Sequence, residues 1–164
     1  MRNRRHCLSV LLLLAAGAAA AQPPGAARES GPPLRANQIV GLWQVQVSLR
    51  PCANPAAPGI SFSAFNAYHA GGTLSDTNFN PPTTRGPGMG IWSHLGDRRY
   101  QTRFQFARYL DGTFDGLQDV ATVLTLEPGG DYYTSEVHAL ALNADGSVRA
   151  ALCGSAEGER VGLE

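Results

Sequence analysis

The sequence predicts an all-β fold, an eight-stranded antiparallel up-and-down β-barrel with no major helix after residue 21. Three observations predict this fold. Apolar and polar residues alternate with a period of two in several runs, which is typical of half-buried strands. Glycine and proline are abundant, at 19 and 11 of the 164 residues, and only 16% of the residues are charged. Eight strand-like runs follow one another with short turn signals between them, which favours a meander over long solvated helices.

The first 21 residues are interpreted as a signal peptide. A positively charged start at residues 2–6 is followed by the apolar run Leu8–Ala20, which is too short to span a bilayer. The alanines at positions 19–21 match a small-residue cleavage site before Gln22. A buried N-terminal helix is the alternative, but the three features occur in the order that export requires. The protein is therefore expected in the periplasm or outside the cell.

Residues 22–36, rich in proline, alanine and glycine, are expected to form a flexible leader, and residues 37–164 to form the barrel domain. Removing the signal peptide takes away three arginines and no acid, which leaves 10 basic and 13 acidic residues. This mildly acidic balance gives no electrostatic case for nucleic acid or an anionic membrane as a partner. No later segment is long and apolar enough for a membrane span. Every basic residue is arginine, which excludes lysine-dependent chemistry such as a Schiff base.

The first strand is predicted at Gly41–Leu49. Its large apolar residues are Trp43, Val45, Val47 and Leu49, and they alternate with Gln44, Gln46 and Ser48. This period of two predicts that the odd-numbered side chains face the core. Pro51 is expected to end the strand because proline has no N–H to donate to a neighbouring strand.

The next three strands are shorter and are separated by turns rich in glycine and proline. They are predicted at Ile60–His69, Thr73–Asn78 and Met89–His94, with a loop at residues 80–88. Phe62 and Phe65 cannot both face inward without a bulge, and the sequence leaves open which of them does.

The fifth strand, Arg99–Tyr109, has the clearest pattern of the last four. Its apolar face carries Tyr100, Thr102, Phe104 and Phe106, and polar residues occupy the other face. The remaining strands are predicted at Phe114–Leu126, Tyr132–Leu142 and Val148–Val161. Aspartate–glycine pairs before the sixth and eighth strands are typical of hairpin turns.

Closure into a barrel removes the two exposed edges that a flat eight-stranded sheet would have. A two-sheet sandwich is the main alternative, but its Greek-key connections usually need longer crossovers. In a closed barrel the first strand pairs with the last. If Cys52 lies opposite Cys153, then Val45 lies opposite Arg160 and Trp43 is a diagonal neighbour of Arg160.

Cys52 and Cys153 are expected to form a disulfide, because two cysteines in an exported domain most often pair. Two free thiols or half of a metal site are the alternatives, but neither cysteine has a histidine or cysteine at metal-ligand spacing. His69, His94 and His138 lie on different predicted strands without a paired spacing. The sequence therefore predicts no metal site, and it carries no motif for a cofactor.

The motif Gly41–Trp43, an arginine on the last strand and the eight-strand meander together resemble the lipocalin-like, or calycin, barrels. The resemblance implies that Trp43 closes the bottom of the barrel and that Arg160 packs over it in a cation–π contact. The stretch Gly86–Trp92 is similar to one in small exported bacterial proteins with this barrel, many of them uncharacterised. Some barrels of related shape are isomerases or cyclases, so the fold alone does not fix the function.

An apolar pocket with a few polar anchors, inside the barrel, is the predicted functional site. The candidate ligand-binding residues are Phe62, Asn66, Tyr68, Trp92, Tyr100, Thr102, Phe104, Phe106 and Arg108. The same aromatic side chains could instead fill the interior. Small residues on the last strand, such as Ala156 and Gly158, favour a cavity.

Three functions follow from these candidates, and the sequence leaves the oligomeric state open. The first is binding of a small apolar molecule of unidentified structure inside the barrel. The second is a cofactor-free isomerase or cyclase that uses an interior acid and tyrosine. Asp76, Asp119 and Glu136 are the candidate acids, although no residue is assigned as catalytic. The third is a filled barrel whose outer surface binds a protein. A buried carboxylate beside interior tyrosines would favour the second function, and a solid interior the third.

Overall fold

The computed structural model describes residues 35–163. The predicted signal peptide and all but the last two residues of the predicted leader lie outside the described residues. One 3₁₀ turn, Arg35–Asn37, precedes the strands. In chain order the strands are β1 Gly41–Pro51, β2 Ile60–Tyr68, β3 Thr73–Asn78, β4 Gly88–Gly96, β5 Arg99–Leu110, β6 Thr113–Leu126, β7 Tyr132–Leu142 and β8 Val148–Arg160. Between residues 35 and 163, no helix has the length and apolar character that a bilayer span needs.

The eight strands form a closed antiparallel up-and-down barrel, which confirms the predicted fold class. Each strand pairs with its neighbours in sequence, and β1 closes the barrel by pairing with β8. The inward and outward alternation predicted for β1 is also observed, since Trp43 and Val45 are buried while Gln44 and Gln46 are exposed. The hairpin turns contain glycines at positive φ, such as Gly112 at 76°, a backbone conformation that glycine adopts without strain.

The predicted disulfide is confirmed, but the predicted register between β1 and β8 is wrong by two residues. Trp43 lies directly opposite Arg160, and Arg50 lies opposite Cys153. Because Pro51 ends β1, Cys52 lies just beyond the strand and reaches Cys153 diagonally, with a Cα–Cα distance of 4.9 Å. A shift of two residues preserves the face of every side chain, so the predicted alternation still holds.

The barrel is sealed at one end, called the closed end, by the segment before β1 and by the Trp43–Arg160 contact. The Trp43 side chain is fully buried, and its indole N–H donates to the Ile39 carbonyl at 2.9 Å. The Arg160 guanidinium lies 4.3 Å from the centre of the indole ring. It also donates to the carbonyls of Val40 and Gly130, at 2.9 and 3.0 Å. Arg160 therefore ties the incoming chain and the β6–β7 turn to the base of the barrel.

Candidate functional site in the barrel lumen

The lumen, the space enclosed by the eight strands, holds a cavity of about 370 Å³. Inward-facing side chains of every strand except β4 line it. On the inner face of β4, Gly88 and Gly90 have no side chain to project into the lumen. A Cβ atom on Gly88 would lie 2.8 Å from the Cβ of Asp76, and one on Gly90 would lie 2.4 Å from the Cβ of Phe104. These two glycines make room for the Asp76 and Phe104 side chains.

Most of the predicted ligand-binding residues lie on the wall of the cavity. They are Phe62, Asn66, Tyr68, Phe104, Phe106 and Arg108. In β2, where the sequence left open which phenylalanine faces the core, Phe62 faces inward and Phe65 faces outward. The Phe65 ring packs 5.2 Å from that of Phe79 on the outer surface, and the pairing of β2 with β1 contains no bulge.

The other three predicted residues, Trp92, Tyr100 and Thr102, do not line the cavity. Tyr100 is fully buried and packs edge-on against Trp92, with 6.0 Å between the ring centres. Burial raises the pKa of the Tyr100 hydroxyl, and a hydrogen bond with the backbone of Ile39 opposes that shift. The Thr102 hydroxyl lies 2.8 Å from that of Thr122. Tyr100 and Trp92 therefore belong to the packed closed end, and the polar group of Thr102 is satisfied by β6.

A buried ion pair lies inside the lumen. Asp76 on β3 is 6% exposed and Arg85, in the connection between β3 and β4, is 9% exposed. The Arg85 Nη2 donates directly to Asp76 Oδ1, and the guanidinium lies 3.6 Å from the centre of the Phe106 ring. With its amide nitrogen turned toward the carboxylate, Asn66 donates to Asp76 Oδ2 at 2.9 Å. Both oxygens of the carboxylate are therefore engaged.

Two tyrosines extend this polar cluster toward the closed end. Tyr68 and Tyr133 are almost fully buried, and their hydroxyls interact with each other and with Asn66. The Tyr133 ring packs 4.9 Å from the Trp43 ring. Burial raises the pKa of the Tyr68 hydroxyl and raises that of Tyr133 well above its usual value. Both tyrosines are therefore neutral hydrogen-bond donors and acceptors at physiological pH.

The carboxyl group of Asp76 experiences two opposing effects. Burial raises its pKa, and the charge and hydrogen bond of Arg85 lower it, with burial the larger effect. A carboxyl group with this balance, beside two neutral hydroxyls, is suited to accepting or donating a proton. We call Asp76, Arg85, Asn66, Tyr68 and Tyr133 the acid–tyrosine cluster.

The mouth of the lumen, at the end opposite Trp43, is bordered by a second set of charged groups. The Arg108 guanidinium donates from Nη2 to the Leu142 carbonyl at 2.7 Å and lies 3.7 Å from the Asp115 carboxylate. Arg149 binds that carboxylate with two hydrogen bonds, of 2.7 and 2.9 Å. These hydrogen bonds from Arg149 lower the pKa of Asp115. Asp115 is thus an anion whose oxygens are already occupied.

The other titratable candidates from the sequence face away from the lumen. Asp119 is held by Arg103 on the outer face, at 2.6 and 3.1 Å, and Glu136 is exposed there. The His69 imidazole lies 3.0 Å from the Ser75 hydroxyl. Of the three acids that the sequence suggested, Asp76 is the one that the barrel places inside.

One group of side chains among residues 35–163 has the composition of a metal site. The ligand atoms of Cys52, His138 and Cys153 all lie within 4.8 Å of one another. Both sulfurs are joined in the disulfide, so the group offers a single imidazole in this state.

The outer surface of β4 to β8 carries a wider depression of about 740 Å³. Outward-facing side chains such as Ile91, Gln101, Arg103 and Glu136 line it, and most of them are exposed. An open depression of this kind buries little of a small molecule, whereas the lumen can surround one. We therefore place the candidate site in the lumen.

The lumen residues that the sequence analysis missed include Arg85, Gln118, Tyr133 and Ser135. Tyr133 and Ser135 share the inward face of β7 with Val137, and the period of two in that strand could have identified them. Gln118 is likewise in phase with Val120 on β6. Arg85 lies in a predicted loop, and no local sequence signal indicates that its side chain enters the barrel.

Comparison with known proteins gives no assignment for this site. No protein-family model matches the chain, and the curated proteins give no significant match. The function is therefore argued from the lumen itself.

Proposed function

We propose that the barrel binds a small, largely apolar molecule in its lumen. The observation that carries this proposal is the cavity of about 370 Å³, which falls in the usual size range of small-molecule sites. Apolar side chains from several strands form its middle section, among them Val45, Val47, Phe62, Val120 and Val137. A filled barrel that acts only through its outer surface would leave no such space.

The two ends of the lumen suggest how the ligand enters. Trp43 and Arg160 seal the closed end, so entry is expected at the mouth, beside Leu49 and Arg108. The predicted signal peptide, the disulfide and the resemblance to lipocalin-like barrels fit a protein that meets its ligand in the periplasm or outside the cell.

A fluorescent apolar probe, N-phenyl-1-naphthylamine, tests the proposal. Wild-type protein is expected to enhance its emission saturably with one site per chain. Ala156→Phe should abolish the enhancement, because Ala156 is 5% exposed and lines the cavity. Ala121→Phe makes the same change on the exposed outer face of β6 and should bind like wild type. Circular dichroism and the urea midpoint confirm that each variant is folded. Unsaturable emission, or equal binding by both variants, would contradict a site in the lumen.

A second candidate function is that of a cofactor-free isomerase or cyclase, and the acid–tyrosine cluster favours it. Asp76, whose ionised form is stabilised by the charge and hydrogen bond of Arg85, could remove a proton from a carbon next to a carbonyl. Tyr68 and Tyr133 could donate hydrogen bonds to the oxygen on which negative charge develops. The buried position of the cluster, beside the apolar cavity, would strengthen each of these interactions relative to water.

Exchange of the carbon-bound protons of 2-tetralone in D₂O, followed by NMR, tests this second function. Wild type is expected to accelerate the exchange over an Asp76→Asn variant, in the range of about 10²–10⁴ typical of a positioned general base. Tyr68→Phe should lower the rate while leaving the carboxylate in place. Equal rates for wild type and Asp76→Asn would eliminate proton abstraction by Asp76 from this probe.

A further inference from the structure

Two hydrogen-bond donors on the lumen wall have no partner among the described residues. They are Nε of Arg108 and Nε2 of Gln118, and both atoms are shielded from solvent. Gln118 is 9% exposed, and both residues line the cavity. Buried polar groups in folded proteins are nearly always hydrogen-bonded, so two unpartnered donors on one wall need an explanation.

The strand pairing brings these two donors to the same part of the wall. Gln118 lies opposite Phe106, and Arg108 lies opposite Gly116, in the pairing of β5 with β6. Arg108 and Gln118 are therefore diagonal neighbours on the inner face, at a spacing of roughly 7–8 Å that long side chains span. Both lie toward the mouth, where Arg108 contacts the Leu142 carbonyl.

Neighbouring acceptors cannot easily satisfy them. The Asp115 carboxylate is bound by Arg149, and the Asp76 carboxylate is bound by Arg85 and Asn66. The two carboxylates of the lumen are thus engaged by other donors, while Nε of Arg108 and Nε2 of Gln118 have no partner among residues 35–163. Both nitrogens are covered by neighbouring atoms, so an incoming oxygen pairs with them only after the Gln118 amide and the Arg108 side chain turn toward the lumen.

We infer that the ligand carries an oxygen acceptor, a carbonyl or a carboxylate, which pairs with Gln118 and Arg108 while its apolar body occupies the lumen. This inference rests on the proposed function and narrows it to one class of molecule. The ligand must carry an acceptor because the unpartnered polar atoms of the wall are donors, and only an acceptor can hydrogen-bond to a donor.

Three naphthalenes of similar size test the inference by displacing N-phenyl-1-naphthylamine. 2-Ethylnaphthalene has no oxygen, 2-acetylnaphthalene has a neutral carbonyl and 2-naphthoate has a carboxylate. At least one of the two oxygen compounds is expected to displace the probe from wild type at a concentration at least tenfold lower than 2-ethylnaphthalene requires. The stronger of the two identifies the oxygen as a carbonyl or a carboxylate.

The variants assign the effect to the donors. Gln118→Leu should reduce the advantage of the oxygen compound at least severalfold while leaving 2-ethylnaphthalene unchanged, and Arg108→Met should do the same. Gln105→Leu, on the exposed outer face of β5, is the matched control and should behave like wild type. If all three naphthalenes are equivalent in wild type, or if the advantage survives Gln118→Leu, water satisfies the donors and the inference is wrong. If the probe itself does not bind, the proposed function fails and the inference fails with it.

Discussion

Arg85 is the counter-charge of the carboxylate in the lumen, and its replacement by methionine is expected to destabilise the barrel at neutral pH. Asp76 and Arg85 are both more than nine-tenths buried. Removing one partner of such a pair leaves the other charge in a medium of low dielectric constant, which typically costs about 3–5 kcal/mol. Methionine retains a long side chain that can pack on the Phe106 ring, so most of the loss comes from the charge.

A second substitution separates the charge from the packing. Asp76→Asn combined with Arg85→Met removes both charges and keeps an amide that can hydrogen-bond to Asn66. The double variant should therefore recover most of the free energy of unfolding that Arg85→Met loses. Arg103→Met removes an arginine that is exposed to solvent, although its partner Asp119 is buried, and it should lower the free energy of unfolding less than Arg85→Met does.

The pH dependence of Arg85→Met gives an independent check. Burial already raises the pKa of Asp76 in the wild type, and loss of the guanidinium raises it further. Between the carboxyl's unfolded pKa of about 3.9 and the raised folded value, the folded chain binds more protons than the unfolded chain. The free energy of unfolding therefore falls as pH rises through that interval. The deficit of the variant relative to wild type should be largest near pH 7.5 and smaller near pH 4.5.

Urea unfolding followed by the fluorescence of Trp43 and Trp92 measures these differences at both pH values. The comparison is always between variant and wild type at the same pH, because other carboxyl groups, such as that of Asp115, have a lowered pKa and lose stabilisation on acidification. An Arg85→Met midpoint equal to that of wild type at pH 7.5, or a deficit that grows on acidification, would refute the reasoning.

Two further predictions concern stability. The Cys52–Cys153 disulfide closes a loop with a sequence separation of 101. The Cys52→Ser/Cys153→Ser double variant should therefore unfold more easily by as much as about 4.7 kcal/mol on the chain-entropy account, and an unchanged calorimetric Tm would contradict this. Gly90→Ala should cost about 1–3 kcal/mol because its Cβ would lie 2.4 Å from that of Phe104. Gly129→Ala, with no atom within 4 Å of the added Cβ, is its control, and equal midpoints would refute the packing argument.

The strands and their faces were predictable because they depend on local features. Alternation in β1 and β5 indicated the inward residues, and aspartate–glycine turns bounded the later strands. The barrel register was less predictable, since it depends on where Pro51 ends β1 and how Cys52 then reaches its partner. The observed pairing of β1 with β8 therefore differs from the predicted pairing by two residues.

The candidate site was predictable only where a strand carries it. Phe104 and Phe106 are placed by the alternation in β5, whereas Arg85 enters the lumen through contacts distant in sequence. The backbone around it pairs with β5: the Gly86 N–H donates to the Ala107 carbonyl, at 2.9 Å. This hydrogen bond needs β5, a strand outside the loop, as its partner. No pattern within residues 80–88 could therefore show that an arginine of this loop would become the partner of Asp76.

The buried ion pair also bears on which function the lumen serves. Replacing such a pair by apolar residues of similar size is often neutral or stabilising, so stability alone does not account for Asp76 and Arg85. Simple retention of an apolar molecule with one oxygen acceptor would need only the apolar middle of the lumen and the donors of Arg108 and Gln118 toward the mouth. Within the acid–tyrosine cluster, Tyr133 lies at the other end, against Trp43, whereas Arg85 pairs with Arg108 toward the mouth, so the cluster runs along the wall between the two ends.

Variants at the two ends of the lumen can therefore be compared for their effects on binding and on proton exchange. If the barrel only binds, Gln118→Leu should weaken the oxygen-bearing naphthalenes and Tyr68→Phe should change little. If it also catalyses, Tyr68→Phe should slow proton exchange in 2-tetralone without a matching loss of affinity for it, because a hydrogen bond that strengthens in the transition state lowers the rate more than the binding. A variant at the mouth should instead change affinity first. The division of effects between Gln118 and Tyr68 distinguishes a binding protein from an enzyme on the same fold.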